Sequence, residues 1–398
     1  MPAELRLGMG RAGVLATGLL LAATSSACRS APPEREATPG VLGATSAEAT
    51  ASAAGAGAGP GSGAALAPAA PDERQLFELE RSCMGTRCTI AALHRDRAVV
   101  EQAVTRAMAE IDRLDAMMTT WKDSSEVSRI NAAAGTGELV ALSPETFEVL
   151  ERSLWIARES EGAFDITIGA FKGLWKFDED NDGSLPSRAS VLARLPLVDY
   201  RGLILDPSRR TARLARAGQS ITLGGIAKGL IVDHAVAKLR ESGLRDFLVQ
   251  AGGDLFASGR RGDRPWRVGI QDPRAGSGKA RSTDTSFALL ELEDRAFNTS
   301  GDYERFVIAG GKRYHHIIDP RTGYPVEHTR SVTVLAPTSF LADTLDTAVF
   351  VLGAEKGLRL IARVPGAEAV IVDAKNQVHV SPGLEGRLQL TRPPTDAL

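Results

Sequence analysis

The chain has 398 residues, with Lys+Arg 47 against Asp+Glu 49, a net charge of −2, 43% hydrophobic residues and three cysteines. That balance excludes a nucleic acid held on a strongly basic surface, and three cysteines cannot build a disulfide framework. Beyond the N-terminal region nothing approaches the roughly 18 consecutive apolar residues that span a bilayer.

Arg6 and Arg11 introduce an apolar run over residues 12–27 centred on Leu19-Leu20-Leu21. A basic start and a short apolar core read as an export signal rather than a membrane helix. It ends Ser25-Ser26-Ala27-Cys28, which resembles the lipobox of bacterial lipoproteins; the other reading is a secretory signal cut near Ala27. The expectation is a lipoprotein signal over 1–28, with the chain facing the periplasm and anchored to a membrane through lipidated Cys28. Residues 41–70 hold 13 Ala, 6 Gly and no aromatic residue, too little apolar surface to offset the entropy of ordering. A tether over 29–75 therefore precedes a folded body over 76–398. A coil of about 45 residues reaches roughly 35–40 Å, which keeps the body near the membrane.

Cys83 and Cys88 fall in a stretch that reads as one strand, which sets their Cα atoms about 16 Å apart, beyond disulfide reach. They are expected to be small buried residues. Further along, 86–93 reads as a strand, and Val100, Val104, Met108, Ile111, Leu114 and Met118 recur at helical spacing over 97–118. Ser143-Pro144 opens a helix to about Ser160. Then follow a strand at 219–223, a helix at 226–242 and a strand at 247–251. The region 254–335 is strand-like and turn-rich, with strands at 266–270, 287–292, 305–308 and 332–335. A helix over 340–353 continues through 355–362, and strands at 369–372 and 378–380 close the chain. Helices and strands without regular alternation predict an α+β fold of mixed helices and largely antiparallel sheets.

Four constellations carry chemistry. Ile221-Thr222-Leu223-Gly224-Gly225-Ile226-Ala227-Lys228-Gly229 runs into a helix start whose free N–H groups and Lys228 suit an anion; the spacing is not that of a P-loop, and a tight turn with a solvated lysine explains it equally. Ala251-Gly252-Gly253-Asp254 is a turn, or a place where Asp254 holds a ligand hydroxyl or a metal-bound water. Asp343, Asp346 and Thr347 stand at i, i+3 and i+4, so one face of an apolar helix gathers two carboxylates and a hydroxyl; all-oxygen ligands suit Mg²⁺, and an acidic first turn is the alternative for Asp343. In Tyr314-His315-His316-Ile317-Ile318-Asp319-Pro320-Arg321-Thr322-Gly323, either histidine can serve as a general base, while a lone histidine in a strand is more often structural. Asp178-x-Asp180-x-Asp182-Gly183 opens like an EF-hand loop, but Ala189 replaces the closing Glu, and it reads as an acidic surface turn. Asn298-Thr299-Ser300 is a glycosylation sequon by spelling only.

In this order, the motifs resemble the FAD:protein FMN transferases, the ApbE family of bacterial lipoproteins. The carriers are Met84-Gly85-Thr86, Ser128-Arg129-Ile130-Asn131, Gly162-Ala163-Phe164-Asp165-Ile166-Thr167-Ile168-Gly169, Leu223-Gly224-Gly225-Ile226-Ala227-Lys228-Gly229, Gly252-Gly253-Asp254, Ser300-Gly301-Asp302-Tyr303, His316-Ile317-Ile318-Asp319-Pro320-Arg321-Thr322-Gly323 and Ala342-Asp343. The resemblance implies FAD as substrate, FMN transfer to a Thr or Ser hydroxyl of an acceptor flavoprotein, and release of AMP. It implies Mg²⁺ held by Asp343, Asp346, Thr347 and a carbonyl at Gly225. It also implies flavin contacts at Met84, Trp121, Ala163, Phe164, Asp165, Lys228 and Ile317, and at Thr222, where the family often has Asp. His316 is the residue expected to activate the acceptor hydroxyl. The competing readings are an FAD pyrophosphatase, with water in place of the hydroxyl, and a flavin-binding lipoprotein without catalysis.

Overall fold

The structure, a computed structural model, describes residues 73–177, 181–275 and 285–397. Cys28, the signal and the tether up to residue 72 lie outside the described residues, as do Asp178 and Asp180 of the acidic turn.

One large sheet organises the body. Its eight strands are β1 (Gln75–Cys83), β2 (Thr86–His94), β3 (Phe247–Ala251), β4 (Asp254–Ser258), β5 (Arg295–Gly301), β6 (Thr329–Ala336), β7 (Glu368–Asp373) and β8 (Val378–Val380). They lie side by side in chain order, and each neighbouring pair is antiparallel. Among the described residues six helices fill the connections: α1 (Arg97–Met118), α2 (Glu126–Ala132), α3 (Pro144–Glu159), α4 (Arg188–Arg194), α5 (Ala227–Glu241) and α6 (Ser339–Ala362).

Side chains alternate across a strand, so each strand has two faces to cover. Ile90, Val249, Phe256, Ala296, Val334 and Ile371 join the cluster under the helices. Leu255, Ala257, Phe297, Leu335, Val370 and Val372 join a second cluster, under a small sheet of Trp266–Gln271, Ser286–Leu292 and Gln389–Leu390. Burial on both faces explains the unbroken apolar run at Ala369–Val372. The alternation also decides the site: Asp254 shares a face with Phe256, and Asn298 and Ser300 share one with Ala296, so all three point toward the helices.

The expected α+β body with largely antiparallel sheets is the observed one. Two sequence expectations fail. Cys83 and Cys88 form a disulfide, with Cα atoms 5.8 Å apart. The stretch is a hairpin rather than one strand: Met84 and Gly85 adopt φ of 47° and 67°, the backbone of a tight primed turn. With Cys83 opposite Thr86 and Cys88 opposite Arg81, the two thiols become diagonal neighbours. Residues 219–223 are not a strand either. Beyond a parallel bridge between Ser220 and Ile168 and a bond from the Thr222 N–H to Ile166 O, the segment joins no sheet. Instead Asn131 holds Ile221 at both ends of its peptide, accepting from its N–H at 2.7 Å and donating to its carbonyl at 2.9 Å.

Candidate metal centre

Three elements converge on one point. The Gly224-Gly225 turn leads into α5, whose first turn carries Lys228; β4 starts with Asp254; the first half of α6 carries Asp343, Asp346 and Thr347. α5 and α6 can approach this closely because residue 229 is glycine: an added Cβ would stand 2.7 Å from the Asp343 Cβ. Farther along, α6 breaks at Gly353, with φ 74°, where the expected helix pieces meet.

Asp254, Asp343 and Asp346 are each 1% exposed, and one oxygen from each lies within 4.8 Å of the others. Lys228 Nζ donates to Asp254 Oδ2 at 2.6 Å and to Asp343 Oδ1 at 3.5 Å. Asp343 Oδ2 accepts from the Gly229 N–H at 2.7 Å. Thr347 Oγ1 donates to Asp346 Oδ1 at 3.2 Å and stands 3.4 Å from Ser300 Oγ. Gly225 borders the same hydroxyl, since a Cβ there would lie 3.5 Å from Thr347 Oγ1 and 3.6 Å from the Phe164 ring.

Three carboxylates therefore face one ammonium, an excess of two negative charges if all ionise. Burial, then the Asp343 charge, push Asp254 up to about 7 against the pull of Lys228. Burial and the charges of Asp343 and Asp254 push Asp346 well above the carboxylate range. Burial works against the charge on Lys228, but Asp254 and Asp343 outweigh it and raise its pKa. Such a site is stabilised by protons or by another cation. Three carboxylates and a hydroxyl, with the Gly225 backbone beside them, form an all-oxygen donor set, which fits a hard divalent ion such as Mg²⁺. The four expected metal positions, Gly225, Asp343, Asp346 and Thr347, are thus brought together. Asp254, which the sequence suggests only for a ligand hydroxyl or a metal-bound water, joins them as a full member of the carboxylate cluster; its Gly-Gly-Asp turn was the available signal.

The other expected residues are held in place by different routes. Ala163 and Phe164 are buried, and Ile166 O accepts from the Thr222 N–H at 2.9 Å, which lays Thr222 beside the 163–169 segment. The Asp165 carboxylate is occupied within the protein: it accepts from Thr167 N at 2.8 Å, Thr167 Oγ1 at 2.6 Å and Tyr200 N at 2.7 Å. Asp165 therefore shapes its segment and has little acceptor capacity left for a ligand. Met84 sits in the β1–β2 turn, and Thr86 beside it packs on Gly252, two residues before Asp254. Trp121 is 81% exposed, with Lys172 Nζ 5.0 Å from its ring centre.

Of the two histidines, His315 is structural: it is buried, its Nε2 lies 2.6 Å from Val326 O, and its ring meets Phe350 edge-on. His316, half-buried, has Nδ1 3.4 Å from Arg305 O. Burial and the Arg305 charge hold it well below the ordinary histidine value, so it is neutral near pH 7. A proton on Nδ1 directed at that carbonyl leaves Nε2 with its lone pair. Ile317 is buried beside it. Asn298 of the sequon is fully buried, and its amide is bonded to Ser339, which excludes a glycan. Asp182, the described part of the acidic turn, pairs with Lys176.

The ApbE family profile matches residues 84–371. The FAD:protein FMN transferase of Treponema pallidum is 34% identical over 324 residues, covering 77% of this chain and 87% of its own length. The crystal structure of the ApbE protein from Thermotoga maritima superposes with a TM-score of 0.68 at 30% identity, over 79% of this chain and 99% of that one. The flavin transferase ApbE from Vibrio cholerae gives 0.67 at 27%, with the same coverage.

Proposed function

The chain belongs to the ApbE family and is an FAD:protein FMN transferase; from this premise we propose that it transfers FMN from FAD to a Thr or Ser hydroxyl of an acceptor flavoprotein, releases AMP, and does so with Mg²⁺ at the carboxylate cluster. The observation that carries this reading is the surplus of buried carboxylate around Lys228. Asp254, Asp343, Asp346, Thr347 and the Gly225 carbonyl would hold the ion. A bound Mg²⁺ supplies charge neutralisation at the pyrophosphate.

The acceptor oxygen forms a bond to the FMN phosphorus while the bond from that phosphorus to the bridging oxygen breaks, and AMP leaves with the electron pair. Nε2 of His316 takes the acceptor's proton; its lowered pKa keeps that lone pair available at neutral pH. Lys228, held between Asp254 and Asp343, fixes a positive charge at the helix start. Buried Ala163, Phe164 and Ile317 supply apolar walls that exclude water. We further place the chain at the cell envelope, facing the periplasm on a lipidated Cys28; the disulfide Cys83–Cys88 suits an oxidising compartment and supports this reading.

The test incubates purified protein with FAD, Mg²⁺ and a flavoprotein fragment bearing an acceptor Thr. A mass increase of one FMN on the fragment supports the transferase. AMP and free FMN without an adduct point to the pyrophosphatase, and neither product leaves a flavin-binding lipoprotein.

A further inference from the structure

Two polar side chains outside the cluster, the half-buried Asp233 and the buried Asn298, meet α6 where it begins. Asp233 of α5 accepts the first N–H groups of that helix, from Ser339 N at 2.8 Å and Phe340 N at 2.9 Å. Asn298 of β5 is fully buried; its Nδ2 donates to Ser339 O at 3.1 Å, and its Oδ1 lies 3.2 Å from Ser339 Oγ. The same Oδ1 accepts weakly from Leu255 N at 3.4 Å, and Asn298 stands opposite Asp254 in the sheet. Ser339 is thus tied both to the helix that carries Lys228 and to the strand pair that carries Asp254. Asp343 follows one turn later on the same face.

We propose that Asp233 and Asn298 are positioning residues, a clamp on Ser339 that sets where α6 delivers Asp343, Asp346 and Thr347. The clamp rests on the metal reading above. A helix cannot place its own ligands against those of another element; that needs a tie between elements, because ligand geometry tolerates only about 0.5 Å. The N-terminus of α6 already has its local cap, Thr338, which accepts from Leu341 N at 3.2 Å. Asp233 and Asn298 add ties to two other elements. The titratable His234 and the charged Arg240 are the groups that act on Asp233. Burial pushes Asp233 up to about 6, so at pH 8 it is ionised and accepts both N–H groups.

The experiment measures Mn²⁺ binding to the full chain at pH 8 by the loss of free-ion EPR signal, with Tm recorded alongside. Asp233→Asn keeps the shape but turns an NH₂ donor toward one of the two N–H groups, and should weaken Mn²⁺ binding about tenfold or more. In turnover it should lower kcat while the KM for FAD stays within about twofold. Ser339→Ala keeps the Asp233 bonds, loses the hydroxyl contact to Asn298, and should weaken binding by about threefold; it decides alone if Asp233→Asn does not fold. Thr338→Ala removes only the local cap and should lower Tm with binding within about twofold of wild type. Wild-type affinity in both clamp variants overturns the proposal whatever their Tm. Equal weakening by Thr338→Ala and Asp233→Asn also overturns it, because fraying of the helix would then be the cause. A wild-type chain that binds no Mn²⁺ overturns the metal reading itself, and the clamp's purpose with it.

Discussion

Two buried ion clusters in this body are built on opposite principles. Arg274 forks onto Asp302 with bonds of 2.7 and 2.8 Å, both side chains 7% exposed. Nearby, Asp272 pairs with Arg392 at 3.3 Å and accepts from Thr395 N and Oγ1. There each carboxylate has its own cation. Around Lys228, three carboxylates share one. Balanced charge satisfies the fold by itself; a surplus is stabilised only by something added, and that separates a ligand site from a structural one.

Asp343→Ala breaks the comparison hardest. It removes a central carboxylate and should reduce the proposed Mg²⁺-dependent FMN transfer on the order of 10³-fold, with the fold retained. Near-wild-type turnover in that variant would sink the metal assignment. Arg274→Ala is the converse case. Leaving Asp302 buried and unpaired should cost about 3–5 kcal/mol in urea unfolding, with Mn²⁺ affinity unchanged. An equal loss of metal affinity would erase the distinction between the clusters.

These assignments differ in how far the chain announces them. Helix α1 was readable to the residue from its apolar spacing, and strand β3 has the bounds expected for it. Asp343, Asp346 and Thr347 announce a shared face because helical periodicity is local. Asp254 lies far along the chain from α6; only the pairing of β4 with β5 and the face alternation bring it in. The Cys83–Cys88 disulfide was hidden because a turn of Met84 and Gly85 carries a bulky residue at positive φ, where Asn or Asp is the usual signal. Ile221-Thr222-Leu223 has a strand's composition but the Asn131 side chain as its partner, and side-chain bonding of that kind leaves no period in the sequence. The clamp at Ser339 is equally silent, since Asp233 on the mid-face of a helix and Asn298 in a sequon both suggest other uses.

Acid titration sharpens the contrast more gently. Burial raises Asp254, so the folded apo protein holds a proton that the unfolded chain releases above about 4. The stability from that proton is full below the unfolded value and is lost as pH rises through about 7. With EDTA present, Tm should therefore decline across this range, and the Tm gained on adding Mg²⁺ should be larger at pH 8 than at pH 5.5. A Mg²⁺ increment independent of pH would contradict the surplus-charge account. Smallest is the hairpin: replacing Cys83 and Cys88 together by Ser should cost about 1–2 kcal/mol, because the closed loop is short. Unchanged urea unfolding would mean that the strand pairing alone holds the turn.

The most direct test of the central claim is intact-mass analysis of an acceptor-flavoprotein fragment after incubation with the wild-type chain, FAD and Mg²⁺, beside the same reaction in EDTA. The account predicts one added FMN per fragment and AMP in equal amount with Mg²⁺, and neither in EDTA. An FMN adduct formed equally well in EDTA would contradict it.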